Sequence, residues 1–293
     1  MIPTYNCASL LRICLASVLA QDLGPRQMEI VVIDDHSEHD DPAAVVSELG
    51  RDRVAFIAHD QNQGPIATFN DCVRHARGEL VHILHGDDLV SDGFYEEVAS
   101  LALTSPNSGL YATRFTFIDE DGRHTAESRP LVEGSVADTF ADANPLQFCA
   151  TVVRRSAFES TGGFTPNLVH TADFEMWVRL SARVGLATSP KVLASYREFD
   201  AQHSAGLRRT AGNLEDRERA LAILERHGDL ATTDRHLRQL RDSARHQASV
   251  FRERGEIEPE RANLRYWSRR ATSTERLRRQ AGKLLRGRSN RRS

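Results

Sequence analysis

The residues best placed to do chemistry are His85-Gly86-Asp87-Asp88, which end the apolar run Val81-His82-Ile83-Leu84. A short apolar run of this kind has buried-strand character. Here it stops abruptly at a small residue and two adjacent carboxylates. Like charges side by side at a strand tip repel unless a cation or a strong set of donors neutralises them. A divalent cation that prefers oxygen ligands is one such neutraliser. A solvated turn that caps the next helix is the alternative.

A second acidic tip follows Met28 to Ile33, a continuous apolar and β-branched run that ends in Asp34-Asp35-His36-Ser37. The chain opens with Ile2-Pro3-Thr4-Tyr5-Asn6, which reads as the end of a strand turning into a loop. Between these tips the pattern is helical. Leu11, Leu15, Val18 and Leu19 recur at helical spacing with Ser9 as N-cap, and Asp41-Pro42 opens a short helix. Val54 to Ala58 reads as a third strand. Asn62-Gln63-Gly64-Pro65 then turns into a helix over Ile66 to Ala76, and Glu79 to Leu84 is the strand that carries the acid pair. Alternation of strands and helices with short connections predicts an α/β fold, a parallel sheet with helices on both faces. Ligands of such sheets bind outside the carboxyl ends of the strands, where Thr4, Asp35 and Asp87-Asp88 would converge.

Further along, Tyr95 to Leu103 reads as helix, Leu110 to Ile118 and Phe148 to Val153 as strands, Ser156 to Glu159 as a helical turn and Gly162-Gly163-Phe164 as a breaker. Ala172 to Val184 has an apolar stripe through Phe174, Trp177, Val178 and Leu180, with Asp173 and Glu175 at its start, and Lys191 to Tyr196 is the last strand. Beyond about residue 205 the composition shifts to helix-forming Glu, Arg, Leu and Ala, with amphipathic helices near Leu214 to Arg226 and Thr233 to Arg254. The division expected is therefore 1–205 and a helical, basic extension over 206–293, disordered at Ser289 to Ser293.

At 293 residues, 40% hydrophobic and 27% charged, the composition is that of a soluble globular protein. Cys7, Cys14, Cys72 and Cys149 lack metal-type or disulfide spacing, so free thiols in a reducing compartment are expected. No run reaches the roughly 18 apolar residues of a membrane span, and no secretory signal opens the chain. A cytoplasmic location is expected, with peripheral contact at the inner face of the cell membrane through the tail. The formal charge of −3 conceals an asymmetry: from Arg261 onward Arg265, Arg269, Arg270, Arg276, Arg278, Arg279, Lys283, Arg286, Arg288, Arg291 and Arg292 face one acid, Glu275. The tail is read either as a solvated helical extension or oligomer contact, or as a patch for anionic membrane through Lys283, Arg286 and Arg288 beside Leu277, Leu284 and Leu285. Nucleic acid is set aside because neither a recognition fold nor aromatic interleaving accompanies the charge.

In order, Pro-Thr-Tyr-Asn at 3–6, Glu29 to Ser37, Asn62-x-Gly64 with Asn70, Ala76-x-Gly78, Asp87-Asp88, Gly162-Gly163-Phe164, Ala172-Asp173-Phe174-Glu175-Met176-Trp177-Val178-Arg179-Leu180 and Tyr196-Arg197 resemble the family 2 glycosyltransferases, inverting enzymes of the GT-A fold. The resemblance covers roughly residues 1–205. It implies a Rossmann-like, mostly parallel sheet and transfer of a sugar from a nucleotide-diphosphate donor, a UDP-sugar favoured, to a hydroxyl of a glycan or lipid-linked acceptor in surface-polysaccharide or cell-envelope synthesis. It puts Mn²⁺ or Mg²⁺ on Asp87 and Asp88, and Asp35 on the base of the nucleotide. Pro3, Thr4, Tyr5, Asn62, Gly64, His85 and Asp87 fall against the donor, and Asp173 matches the general base. An inverting transfer needs one such base for the acceptor hydroxyl, although an Asp at a helix start also serves as a cap. His85 stands where many relatives carry another Asp, and is read as a residue contacting the donor or backing the metal, with direct ligation of the metal as the alternative. Phe199 stands near the place where relatives often supply a metal-binding His, and His203 is the candidate for that role. Arg179 is read as a structural ion pair and Trp177 as core. A catalytically silent domain that binds nucleotide or a protein partner, and a nucleotidyltransferase, are the competing readings.

Only two residues precede Pro3, whereas relatives place several β-branched residues there, and an upstream start is the expectation. Mass spectrometry of the native protein should then find residues before Met1; a native chain beginning at Met1 would refute it.

Overall fold

Continuous β-branched runs have no polar face to show to water, so they belong in a sheet covered on both sides. They occupy one in the computed structural model, which describes residues 1–131, 139–140, 144–199 and 203–270, with the backbone alone for 203–205. Strands β1 (Ile2–Thr4), β2 (Ile30–Asp34) and β3 (Val54–Ala58) pair in parallel, Ile2 opposite Val32 and Ile30 opposite Val54. All five residues of β2 are buried. On the other side of β1 runs β4 (Leu80–His82) with the residues after it. The Met1 ammonium donates to the His82 carbonyl (2.9 Å), Leu84 N–H to Met1 (3.0 Å) and Gly86 N–H to Pro3 (3.0 Å). The parallel array is thus β3-β2-β1-β4, and its strand tips carry the acidic loops.

Beyond β4 the pairing changes. β4 pairs antiparallel with β8 (Thr151–Arg154), β8 antiparallel with β6 (Leu110–Ile118), β6 parallel with β9 (Leu186–Arg197), and β9 antiparallel with β5 (Leu89–Val90). β9 is about twice the length its apolar residues suggest, because it is stitched to β6 from Leu110–Leu186 to Ile118–Arg197. An exposed strand, β7 (His124–Glu127), folds back on β6 through the turn at Asp119–Gly122. Sequence alone misses β7 because four exposed polar-leaning residues have no burial pattern to announce them.

Helix α1 (Ala8–Leu19) buries Ala8, Leu11, Cys14, Leu15 and Val18. Its N-cap is Cys7 rather than Ser9, and its first amide is satisfied from a distance, Ala8 N–H donating to Asp40 Oδ2 at 2.5 Å. Helix α2 (Pro42–Val45) is capped as expected by Asp41, whose Oδ1 accepts from Ala44 N–H at 2.9 Å. Helices α3 (Pro65–His75), α4 (Phe94–Thr104), α5 (Arg155–Thr161) and α6 (Ala172–Val184) complete the layers on the sheet. The four cysteines are all free thiols.

The chain divides into two compact units, one of Met1–Asp200 with Arg219–Ala231, the other of Ala201–Glu218 with the chain from Thr232 on. In the second, α9 (Asp234–Glu253) opens with a capping box of Thr233 and His236, and packs on α10 (Ile257–Arg270), burying Phe251, Tyr266 and Trp267. Between α6 and α9 lie α7 (His203–Thr210) and α8 (Gly212–His227). Among the described residues no helix is long and apolar enough to cross a membrane. Ser289 to Ser293 and the basic residues from Arg276 on lie outside the described residues.

Two family-like motifs have structural jobs. Asn70 clamps the breaker by accepting from Phe164 N–H (2.8 Å) and donating to Phe164 O (3.1 Å), and Gly163 is pressed so closely on that amide that a Cβ has no room. Arg179 meets Glu175 at 2.8 Å and donates to the carbonyls of Thr161, Gly162 and Gly163, binding the breaker to α6. Both charged groups are buried, and breaking such a pair from one side costs far more than the pair contributes. Glu175→Ala should therefore lower unfolding stability by about 3–5 kcal/mol in urea denaturation; a change within experimental error would mean that the pair holds nothing in place.

Candidate functional site

The loops at the parallel strand tips are sewn to one another before any ligand is considered. Asn6, in left-handed backbone (φ +49°), accepts from the amides of Glu38 and His39 through its side chain, and its own N–H donates to Ser37 Oγ (2.8 Å). Asp34 accepts from the Ser37 hydroxyl (2.5 Å), the Asx-type turn that an Asp at a strand end favours. The Asp35 N–H donates to Thr4 O (2.9 Å). Thr4 is buried with its Oγ1 3.0 Å from Cys7 Sγ, and a Cβ on Gly86 would stand 3.1 Å from that Oγ1 and 3.2 Å from the sulfur. Gly86 is thus the residue that lets the acid-bearing tip lie against β1. Tyr5, by contrast, is 46% exposed on the loop after β1.

Asp35 has its carboxyl turned inward. Oδ1 lies 2.8 Å from His59 Nδ1 and accepts from Gln63 N–H (2.8 Å), Oδ2 accepts from Gly64 N–H (2.8 Å), and Asn62 donates its side-chain amide to the Asp35 carbonyl (3.1 Å). On its far side His59 Nε2 is 2.8 Å from Asp71 Oδ2, and Asp71 also meets Arg74. The motif Asn62-x-Gly64 therefore belongs to Asp35, as a loop that the carboxylate shapes. His59, central to the cluster, carries no motif of its own.

Among the described residues, His85, Asp87 and Asp88 form a group of potential metal ligands: one side-chain donor atom from each lies within 4.8 Å of the other two. Asp88 is 1% exposed; its Oδ1 accepts from Arg197 N–H (2.9 Å), and its Oδ2 has no hydrogen-bond partner. His85 Nε2 is likewise buried and unpartnered. Buried polar atoms are ordinarily satisfied, so two orphans on neighbouring residues of one ligand group call for a bound partner. Burial, then the neighbouring Asp87 charge, pushes the Asp88 carboxyl well above its usual range, while burial draws His85 down. The same field reaches the thiols of Cys14 and Cys149, raised first by burial and next by Asp88 and Asp87. The two carboxylates, one with an unsatisfied buried oxygen, fit a divalent cation that prefers oxygen ligands.

Arg197 is the structural partner of this tip. Besides the amide on Asp88, its Nε donates to Asp87 O (3.0 Å) and its Nη1 to the carbonyls of Asp119 (2.9 Å) and Glu120 (3.0 Å). Only its place in the Tyr196-Arg197 pair marks it in the sequence. His82 works from beneath: burial pushes it down to about 3, so its neutral ring shares the Nε2–H between the carbonyls of Phe148 and Cys149. That bond fixes Phe148, whose ring lies 4.5 Å from His85 and 5.2 Å from Trp177. Trp177 is core, as expected, and through Phe148 it ties α6 to the acid-bearing tip.

Asp173 stands in the first turn of α6, where the helix dipole favours a negative charge. Its Oδ2 accepts from the Asn144 side-chain amide (2.7 Å) and its Oδ1 from Phe174 N–H (2.7 Å). Asn144 lies in an irregular stretch with no periodicity or motif, so sequence reasoning had no signal for it. The backbone of His203 begins α7, and its side chain lies outside the described residues. An apolar cavity of about 300 Å³, lined by residues including Met1, Met28, Ile30, Leu80 and Tyr95, touches none of the strand-tip acids.

Residues 1–162 match the model of glycosyl transferase family 2, and the chain belongs to that family. It is a glycosyltransferase. It is 28% identical over 239 residues to the uncharacterized protein MT1568 of Mycobacterium tuberculosis, covering 76% of this chain and 74% of that protein. It is 25% identical over 199 residues to the succinoglycan biosynthesis protein ExoU of Rhizobium meliloti, covering 62% of this chain and 56% of that one. Among solved structures, S. aureus TarS 1–349 in complex with UDP-GlcNAc superposes with a TM-score of 0.60 at 15% identity, covering 92% and 90% of the two chains. The mannosyltransferase PcManGT from Pyrobaculum calidifontis, in complex with GDP-Man and Mn²⁺, superposes with a TM-score of 0.59 at 18% identity, covering 97% and 78%. These likenesses establish the GT-A fold.

The raised Asp88 has a thermodynamic consequence. A carboxyl whose folded pKa exceeds its unfolded one stabilises the fold below the unfolded value, and that contribution is lost as pH rises through the folded value. A cation at the site substitutes for the proton. Mn²⁺ should therefore raise Tm, and more at neutral than at mildly acidic pH; equal shifts at both, or none, in thermal melts would contradict this.

Proposed function

We propose that the protein is a metal-dependent inverting glycosyltransferase that moves a sugar from a nucleotide-diphosphate donor, a UDP-sugar favoured, to a hydroxyl of a glycan or lipid-linked acceptor. The observation that carries this is the cluster of His85, Asp87 and Asp88, with Asp88 Oδ2 buried and unpartnered at the carboxyl end of a parallel array. That edge of such a sheet is where nucleotides bind. In this reading Asp87 and Asp88 would hold Mn²⁺ or Mg²⁺, which would supply positive charge to neutralise the departing diphosphate.

The remaining work belongs to the chain. Pro3, Thr4 and Tyr5 line the nucleotide, with exposed Tyr5 the residue available for contact. Asp35 meets the base of the nucleotide, on a loop that its carboxylate shapes by accepting from the amides of Gln63 and Gly64. Asp173 takes the proton of the acceptor hydroxyl as that oxygen attacks the anomeric carbon; the bond to the diphosphate breaks on the opposite face, and configuration inverts. Asn144 positions the carboxylate by donating to Oδ2. A role in surface-polysaccharide or cell-envelope synthesis is supported by the succinoglycan biosynthesis protein ExoU among the relatives. Such an acceptor would bring the protein to the inner face of the membrane from the cytoplasm.

A panel of sugar nucleotides tested for Mn²⁺-dependent binding and hydrolysis should identify a donor, and no binding to any would favour a silent domain. Asp173→Asn should reduce transfer by about 100- to 10,000-fold, the range of general-base contributions, while sparing donor binding. Asp88→Asn should instead lose metal-dependent donor binding. Full transfer activity in Asp173→Asn would remove it as the base.

A further inference from the structure

The imidazole two residues before Asp87 is held as rigidly as a ligand would be. Its ring lies almost parallel to Phe69 (centroids 4.9 Å apart, planes at 11°) and against Phe148 at 4.5 Å. Phe69 and Phe148 also pack on each other at 4.9 Å, so the wall behind the ring is continuous. The backbone is fixed as well: the His85 carbonyl accepts from Asp88 N–H (3.0 Å), and Gly86 N–H is bound to Pro3 O. An aromatic wall offers a histidine no strong acceptor, and its Nε2 is buried without a partner. A ring nitrogen is nevertheless within 4.8 Å of ligand oxygens of both Asp87 and Asp88, and the second oxygen of Asp88 is equally unsatisfied.

Resting on the metal site of the preceding section, we propose that His85 is itself a metal ligand. The site is then one imidazole nitrogen and two carboxylates, in place of carboxylates alone. The consequence is selectivity. Mg²⁺ prefers an all-oxygen shell, whereas imidazole suits later first-row ions, whose affinity for nitrogen rises from Mn²⁺ through Co²⁺. His85 therefore biases the site toward Mn²⁺ and Co²⁺ over Mg²⁺. The stacked Phe69, with Phe148, holds the ring in this place beside the two carboxylates.

The test needs no acceptor and no turnover. The full chain is titrated with Mn²⁺, and electron spin-echo spectroscopy is used to detect modulation from a directly bound imidazole nitrogen. Wild type and His203→Ala should show the modulation. His85→Asp should still bind Mn²⁺ but lose it, and its preference for Co²⁺ over Mg²⁺ in competition should fall about tenfold, the lower end of what altering a metal's surroundings costs. Mn²⁺ bound without nitrogen modulation in wild type overturns the proposal while leaving the metal reading intact, as does modulation that vanishes in His203→Ala. Absence of Mn²⁺ binding overturns both. If His85→Asp fails to fold, as circular dichroism would reveal, the wild-type and His203→Ala spectra decide the matter.

Discussion

The constraint on which this molecule turns is a pair of adjacent carboxylates at the end of one strand, one of them, Asp88, buried. Asp88 is almost wholly out of water, receives one backbone amide from Arg197, and leaves its other oxygen unsatisfied beside the charge of Asp87. Isolated buried charge is expensive, so the surroundings must hold the pair in place against its own repulsion. They do so from three sides. Gly86 allows contact with Thr4 and Cys7, Arg197 grips the Asp87 carbonyl and the turn at Asp119–Glu120, and the aromatic ring set of Phe69 and Phe148 backs His85.

This arrangement explains why residues far apart in the chain behave as one unit. His82 fixes the 148–149 backbone, Phe148 touches both His85 and Trp177, and Trp177 belongs to the helix whose first turn carries Asp173. The ion pair of Glu175 and Arg179 then locks that helix to the breaker at 162–163, which Asn70 clamps from α3. Of the two acids at the start of α6, one is sealed in this framework and the other, Asp173, is the less buried.

A second acidic centre, Asp35, has a different character. Both oxygens of its carboxylate have partners in His59 and the amides of Gln63 and Gly64, so it shapes a loop, where the pair at Asp87 and Asp88 leaves an oxygen unsatisfied. Both centres look alike in sequence, each being two acids after a β-branched or apolar run. They differ because His59 and the 62–64 amides are folded over one, while an unpartnered imidazole stands beside the other.

The sequence by itself determined the alternation of strands and helices, the parallel order implied by short connections, and the family, because each rests on local periodicity or on motifs in fixed order. It also marked Asp87 and Asp88, since like charges at a strand tip are conspicuous without coordinates, and the resemblance to the family singled out Asp35 and Asp173 among the neighbouring acids. Tertiary structure alone decided what each acid faces. Asn144, His59, Phe69 and Phe148 are not themselves motif residues, and they reach their partners only when segments distant in sequence are brought side by side. The same holds for β7 and for the length of β9, which are set by pairing with β6 and not by their own residues. Periodicity reports which face of an element is buried; it carries no information about the side chain waiting on the other side.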